Sequence, residues 1–202
     1  MMRKKLKFKK LLNEYRSLQY EQEYVKEVLK DAHLDFDVYY RRFCEIYLVN
    51  IEKLEKKKSD KLKAAYEHSE KPAMKGVEEK LRSKEYDHKK VFKQIARKLH
   101  PDKLSEDDPR LQEFENDFKT AAAGINDGNW GDLFNIAEKH DIDIEDYDSV
   151  NQSIKDSIVL VRKKIQELKN QYSYMFYECE EDEHCKDNII KSFLRQVFGH
   201  NL

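Results

Sequence analysis

Apolar side chains recur at spacings of three and four residues along several long stretches of this chain. Such spacing places them on one face of an α-helix. In the first stretch polar Gln22 interrupts an otherwise regular series, which runs Phe8, Leu11, Tyr15, Leu18, Val25, Leu29 and Ala32. With only 5 Gly and 3 Pro among 202 residues, helices have few breaking points. No run of residues resembles a strand bounded by turns, so the sequence predicts an all-α fold.

Two further stretches continue the pattern. A second helix, with Asp35 as its expected N-cap, carries Phe36, Tyr40, Phe43, Tyr47, Ile51 and Leu54. A C-terminal helix, with Asp148 or Ser149 as its N-cap, carries Val150, Ile154, Ile158, Val161, Ile165, Leu168, Tyr172 and Met175. A hinge is expected around 69–72. We therefore predict an N-terminal helical segment at 1–72, a central domain at 73–146 and a C-terminal helical segment at 147–202.

The flanking helices need partners, because an amphipathic helix must bury its apolar stripe. We expect the N-terminal pair and the C-terminal helix to pack into a helical bundle or coiled coil. Pairing between two copies of the chain, giving a homodimer, is the alternative arrangement. The sequence does not distinguish the two.

The central segment contains a basic amphipathic helix over 89–99. On a helical wheel its apolar residues share one arc: Val91, Phe92, Ile95, Ala96 and Leu99. Its basic residues lie on the opposite side: Lys89, Lys90, Lys93 and Arg97. Pro101 lacks an N–H and disfavours helical backbone in the residue before it, so this helix should end near His100.

A second helix of the central segment should start after Asp108, which is followed by Pro109 at the favoured first helical position. Its apolar stripe is formed by Leu111, Phe114, Phe118, Ala121, Ala122 and Ile125. The two stripes can face each other. The expected structure is an antiparallel helical hairpin with His100-Pro101-Asp102 at its tip.

A basic helix, His-Pro-Asp, a loop and a second helix together resemble a J-domain. The following residues 126–137 contain a Gly-Asp turn and a short apolar segment, which is similar to a shorter J-like variant of bacterial and phage proteins. The resemblance covers about residues 77–146. In the first-helix position only Val77 and Leu81 match the family's usual aromatic-rich motif. The resemblance implies a J-domain-like hairpin attached to the bundle of flanking helices.

The resemblance also implies a function, that of a co-chaperone which stimulates the ATPase of a DnaK-type chaperone. The basic residues Lys89, Lys90, Lys93 and Arg97 would orient an acidic surface of that partner. His100, Pro101 and Asp102, with Lys103 beside them, would contact the junction of its ATPase domain and interdomain linker. The chain itself would do no chemistry and need no cofactor, and the helical flanks would bind a client that the sequence does not identify.

The composition argues against several other classes of protein. Lys+Arg number 39 against 40 Asp+Glu, a balance that disfavours binding nucleic acid by charge alone. No apolar stretch is long enough to span a membrane. The basic start leads into no apolar segment, unlike a secretory signal. Three cysteines are too few for a disulfide framework, so we expect a cytoplasmic protein, in the host cytoplasm if the chain is viral.

Two other interpretations stay open. The chain could be a coiled-coil structural or scaffold protein, for example in a viral assembly, whose J-like hairpin is no longer used. A weaker alternative is a nucleic-acid-binding helical protein that uses its basic segments.

Cys179, His184 and Cys185 suggest zinc, but five residues separate the two cysteines, whereas zinc fingers prefer two to four. The acidic residues around them are typical of a polar turn, so we predict no metal there. The aromatic residues around them, at 172–177 and 193–198, are interpreted as core packing of a final helical hairpin. A docking surface for a client or partner is the alternative.

Overall fold

The computed structural model describes residues 2–56, 58–59, 85–100, 109–126 and 128–202. All regular elements among them are helices, which confirms the all-α prediction. The helices are α1 (Met2–Ile46), α2 (Glu85–Leu99), α3 (Leu111–Asn126), α4 (Trp130–Lys139), α5 (Tyr147–Lys169), α6 (Tyr172–Tyr177) and α7 (Glu183–Phe198). Residues 51–56 are also helical. In the described part of the chain, no helix combines the length and apolarity that crossing a membrane requires.

The described residues form two compact units. One unit draws on the described residues within 2–20 and 85–163, and the other on those within 21–59 and 164–202. The boundary expected near residue 72 lies outside the described residues. The division of the chain at 72 and 146 therefore stays a prediction.

In the first unit, α2, α3 and α4 pack together. The start of α4 contacts the start of α2 through Trp130 and His88, whose ring centroids are 4.2 Å apart. The end of α4 contacts the start of α3, where His140 lies 2.7 Å from Asp117. Helix α4 is thus parallel to α2 and antiparallel to α3. The antiparallel pairing predicted for α2 and α3 follows from these contacts.

The same unit contains the first half of α1 and most of α5, which run parallel. Lys4 contacts Asp148, and ten residues further along α1 the Glu14 carboxylate accepts a hydrogen bond of 2.7 Å from Arg162. Between these ion pairs lie the apolar stripes of both helices. Their buried members include the predicted residues Phe8, Leu11, Tyr15, Val150, Ile154, Ile158 and Val161, together with Leu12.

The second unit is built on an aromatic core. Its central cluster consists of Phe36, Tyr40, Phe43, Cys44, Phe176, Ile190 and Leu194. The N-cap of α7 is Asp182, whose carboxylate accepts a 3.0 Å hydrogen bond from the Cys185 amide. Its C-cap is Gly199, in the left-handed conformation. The C-terminal aromatic segments are interpreted from the sequence as core packing. Phe176 and Leu194 are buried, which confirms this interpretation at those two positions.

Two predicted helix starts are wrong. Asp35 does not begin a helix, because α1 runs without a break from Met2 to Ile46. That range contains neither Gly nor Pro, and its buried stripe continues across Asp35 from Ala32 to Phe36. At the start of α5 the capping carboxylate belongs to Asp146, which accepts hydrogen bonds from the amides of Asp148 and Ser149. Asp148 and Ser149, each predicted to be the N-cap, instead donate the amide hydrogen bonds that Asp146 accepts.

Candidate functional site

Helix α2 separates its apolar and basic residues as the sequence predicts. Val91, Ile95 and Leu99 are buried, with at most 6% of their surface exposed. On the other side Lys89, Lys93 and Arg97 recur every fourth residue and are exposed. Residues four apart on a helix are neighbours on its surface. These side chains therefore form a continuous positively charged strip on α2.

Lys90 lies on the same helix, next to the strip, and contacts the Glu145 carboxylate. Its ammonium group lies 2.5 Å from the Glu145 carboxylate, and about half of the lysine side chain is exposed (50%). Exposed ion pairs of this kind contribute little to stability. Glu145 nevertheless offsets part of the positive charge at the first turns of α2.

His100 follows the last residue of α2, so the helix ends where Pro101 predicts. The His100 amide donates a 3.1 Å hydrogen bond to the Ala96 carbonyl. The imidazole packs edge-on against Phe118 of α3, with ring centroids 5.5 Å apart. Phe118 also stacks on Phe92 of α2, at 5.8 Å. One aromatic ring of α3 thus contacts both the middle of α2 and the histidine that begins the His-Pro-Asp sequence.

The remaining residues of the predicted site lie outside the described residues. These are Pro101, Asp102 and Lys103. Their contact with a chaperone stays a prediction, and so does the role assigned to His100.

A polar network near the His100 end of the hairpin was missed by the sequence analysis. Asp117 of α3 is bonded by the imidazole of His140 at 2.7 Å and by the ammonium of Lys139 at 2.8 Å. Hydrogen bonds to Asp117 and Glu113 raise the pKa of Lys139. Lys98 of α2 donates to the His140 carbonyl at 2.6 Å. The network joins the ends of α2 and α4 to the start of α3.

A second network holds the start of α4. The hydroxyl of Tyr15, on α1, lies 2.9 Å from Asn129 Oδ1 and 2.8 Å from Asp132 Oδ1. Burial raises the pKa of Tyr15, and the Asp132 charge adds to the effect. The Gly131 amide donates a 3.1 Å hydrogen bond to Ser157 of α5. Gly131 belongs to the predicted Gly-Asp turn, and its amide lies in this packed contact.

The two cysteines considered as zinc ligands are oxidised in the structure. Cys179 and Cys185 form a disulfide, with their Cα atoms 5.6 Å apart. Both sulfur atoms are therefore unavailable as thiolate ligands in this state. Cys44 has a free, buried thiol. In the described part of the chain no group of three or more His, Cys, Asp or Glu side chains is arranged to hold a metal ion.

The chain was compared with models of protein families, with curated proteins and with solved structures, and none of them matched.

Proposed function

We propose that this protein is a J-domain co-chaperone that binds a DnaK-type chaperone through α2 and the His-Pro-Asp loop and stimulates its ATP hydrolysis. The observation that carries the proposal is the position of His100. It ends a helix whose outer side bears Lys89, Lys93 and Arg97, and it packs on the antiparallel helix α3. In the sequence, the helix that bears the basic strip is thus followed directly by His100-Pro101-Asp102.

The charges suit the proposed partner surface. A strip of lysine and arginine side chains accelerates and orients association with an acidic surface. Asp102 would form a charge-assisted pair with an arginine of the chaperone. The protein would change the conformational equilibrium of its partner and perform no chemistry itself. We place this activity in the cytoplasm, which is the host cytoplasm if the chain is viral.

The test is single-turnover ATP hydrolysis by a DnaK-type chaperone in the presence of the full chain. Stimulation by the wild-type protein, and its loss in Asp102→Asn and in His100→Gln, would support the proposal. Both substitutions are conservative in volume, and circular dichroism and melting should remain close to wild type. Equal stimulation by wild type and both variants, or none by any of them, would refute the proposed mechanism.

A second candidate function is that of a self-assembling structural protein. It is favoured by exposed apolar side chains on α1, where Tyr24, Leu34 and Val38 are 59%, 69% and 69% exposed. On a helical wheel they fall within an arc of about 80°. Apolar residues exposed along one helix face are typical of helix pairing between chains. Sedimentation of wild type and of Leu34→Lys tests this second function. If the chain assembles through this face, wild type is a dimer and the substitution disrupts it.

A further inference from the structure

The second unit contains a cleft of about 630 Å³ beside the second half of α1. Ligand sites for small molecules usually have volumes in this range and combine aromatic walls with a few polar groups. The walls of this cleft include the aromatic side chains Tyr24, Tyr39, Tyr174, Phe176 and Tyr177. The basic strip of α2 does not belong to its lining.

The aromatic walls hold one another in place. Tyr39 and Phe176 pack edge to face, with centroids 5.2 Å apart. The Tyr39 hydroxyl donates a 2.8 Å hydrogen bond to Asp187. Tyr177 packs against Tyr174, with ring centroids 6.0 Å apart. The rings therefore present preformed aromatic surfaces to a ligand.

A cation already occupies one of these surfaces. The ammonium group of Lys186 lies 5.2 Å from the centroid of the Phe176 ring. The negative face of an aromatic ring attracts positive charge, and the attraction is strongest where water is excluded. The chemistry of the walls thus suits a positively charged group.

The charged residues of the cleft favour the same sign of ligand. Three carboxylates, of Asp35, Glu178 and Glu180, oppose the two cations Arg42 and Lys186. Among the described residues neither Asp35 nor Glu180 forms an ion pair. The acidic character extends beyond the cleft, since five of the six residues at 178–183 are Asp or Glu.

We propose that this cleft binds a small organic cation, with an alkylated or quaternary ammonium group on an apolar body. The ammonium group contacts the aromatic faces, and Asp35 and Glu180 supply the compensating charge. A neutral ligand of the same shape gains nothing from the carboxylates, and an anion is repelled by them. The site is independent of the chaperone-binding proposal.

The experiment is a calorimetric titration of the full chain with choline and with 3,3-dimethylbutan-1-ol. The two probes have nearly the same shape and differ in the charge of one atom, nitrogen in choline and carbon in the alcohol. We expect choline to bind at least about fivefold more tightly, the difference that a cation–π site with nearby carboxylates produces. Equal affinities, or no binding of either probe, would overturn the proposal.

Variants locate the binding and test the sign of the charge. In Asp35→Asn/Glu180→Gln the affinity for choline should fall about fivefold or more, while Glu181→Gln, in the same loop but outside the cleft, leaves it unchanged. Butane-1-sulfonate is the anionic probe. If butane-1-sulfonate binds more tightly than choline, the positive charges of Arg42 and Lys186 dominate the cleft. If the double variant binds choline as tightly as wild type, choline binds elsewhere. Either result contradicts the proposal.

Discussion

Gly131 lies directly against the ring of Tyr15. A Cβ atom added at Gly131 would lie 2.3 Å from Cζ of the Tyr15 ring and within 2.7 Å of two further ring atoms. Tyr15 is completely buried, and its hydroxyl is held by Asn129 and Asp132 on the two sides of the glycine. The ring therefore cannot move aside. Close approach of α1 to the start of α4 requires glycine at this position.

Gly131→Ala should destabilise the protein by about 2 kcal/mol or more, since overpacking of a core costs about 1–3 kcal/mol and the methyl group here meets a fixed ring. The measurement is the free energy of unfolding in urea. In a Tyr15→Val background the methyl group has room, so the same substitution should cost much less. Additive costs in the double variant would show that the ring is not the obstacle.

Gly128→Ala serves as the matched control. Gly128 has a φ of +66° but has no atom within 4 Å of an added Cβ. Its substitution should cost only about 1–2 kcal/mol for the left-handed backbone conformation, and Tyr15→Val should not relieve that cost.

The stability of the protein should fall above pH 10 because Tyr15 keeps its proton in the folded state. Burial raises its pKa above the ordinary value of 10.0, so in alkali the unfolded chain loses this proton first. The contribution is complete below pH 10 and is lost progressively above it, by about 1.4 kcal/mol per pH unit. Urea unfolding between pH 9 and pH 12 measures the slope.

Tyr15→Phe should have a shallower slope in this range, whatever its stability at neutral pH. Tyr39 adds a smaller effect of the same sign, since burial and Asp187 raise its pKa to about 12. An unchanged slope in Tyr15→Phe would show that Tyr15 is not responsible for the alkaline loss.

Features set by residues near in sequence were predictable. Val91, Ile95 and Leu99 lie on the buried side of α2 because a spacing of four is itself the geometry of a helix face. The end of α2 followed from Pro101 alone. The same local reasoning was wrong for Asp35, because an aspartate favours a helix start but does not prevent a helix from continuing through it.

The contacts between helices were not predictable from spacing. Tyr15 is 117 residues from Asp132, and His140 is 23 residues from Asp117. No periodicity connects such residues, since their proximity depends on which helices pack together. The Cys179–Cys185 disulfide was missed for a different reason: three cysteines were judged too few for a disulfide framework, while a single bridge needs only two.

Asp117→Ala should destabilise the protein by about 2 kcal/mol. The substitution removes a 13%-exposed carboxylate and leaves the buried imidazole of His140 without this hydrogen-bond acceptor. Glu113→Ala is the control, because Glu113 bonds the same Lys139 but is 55% exposed, and its loss should cost less than about 1 kcal/mol. Equal losses in urea unfolding would contradict a specific role for Asp117.

Removal of the disulfide in Cys179→Ala/Cys185→Ala should lower the free energy of unfolding by about 2 kcal/mol. The bridge closes a short loop, with a sequence separation of 6, and a short loop restricts the unfolded chain less than a long one. Wild type unfolded in reducing buffer should resemble the double variant. If reduction has no effect on wild type, the bridge is not formed in solution, and thiol labelling of protein denatured without reductant will count three free cysteines.

Reversal of charge on α2 should weaken binding to a DnaK-type chaperone without changing the fold. Lys89 and Lys93 are exposed on the side opposite the buried residues of α2, so Lys89→Glu/Lys93→Glu leaves the core intact. Lys155→Glu/Lys164→Glu, which reverses two exposed lysines of α5, has the same net charge and is the matched control. We expect slower association for the α2 variant alone, measured by stopped-flow fluorescence, with a deficit that shrinks as salt screens the charges. A deficit that is independent of salt, or equal in the two variants, would mean that the basic strip of α2 does not guide the association.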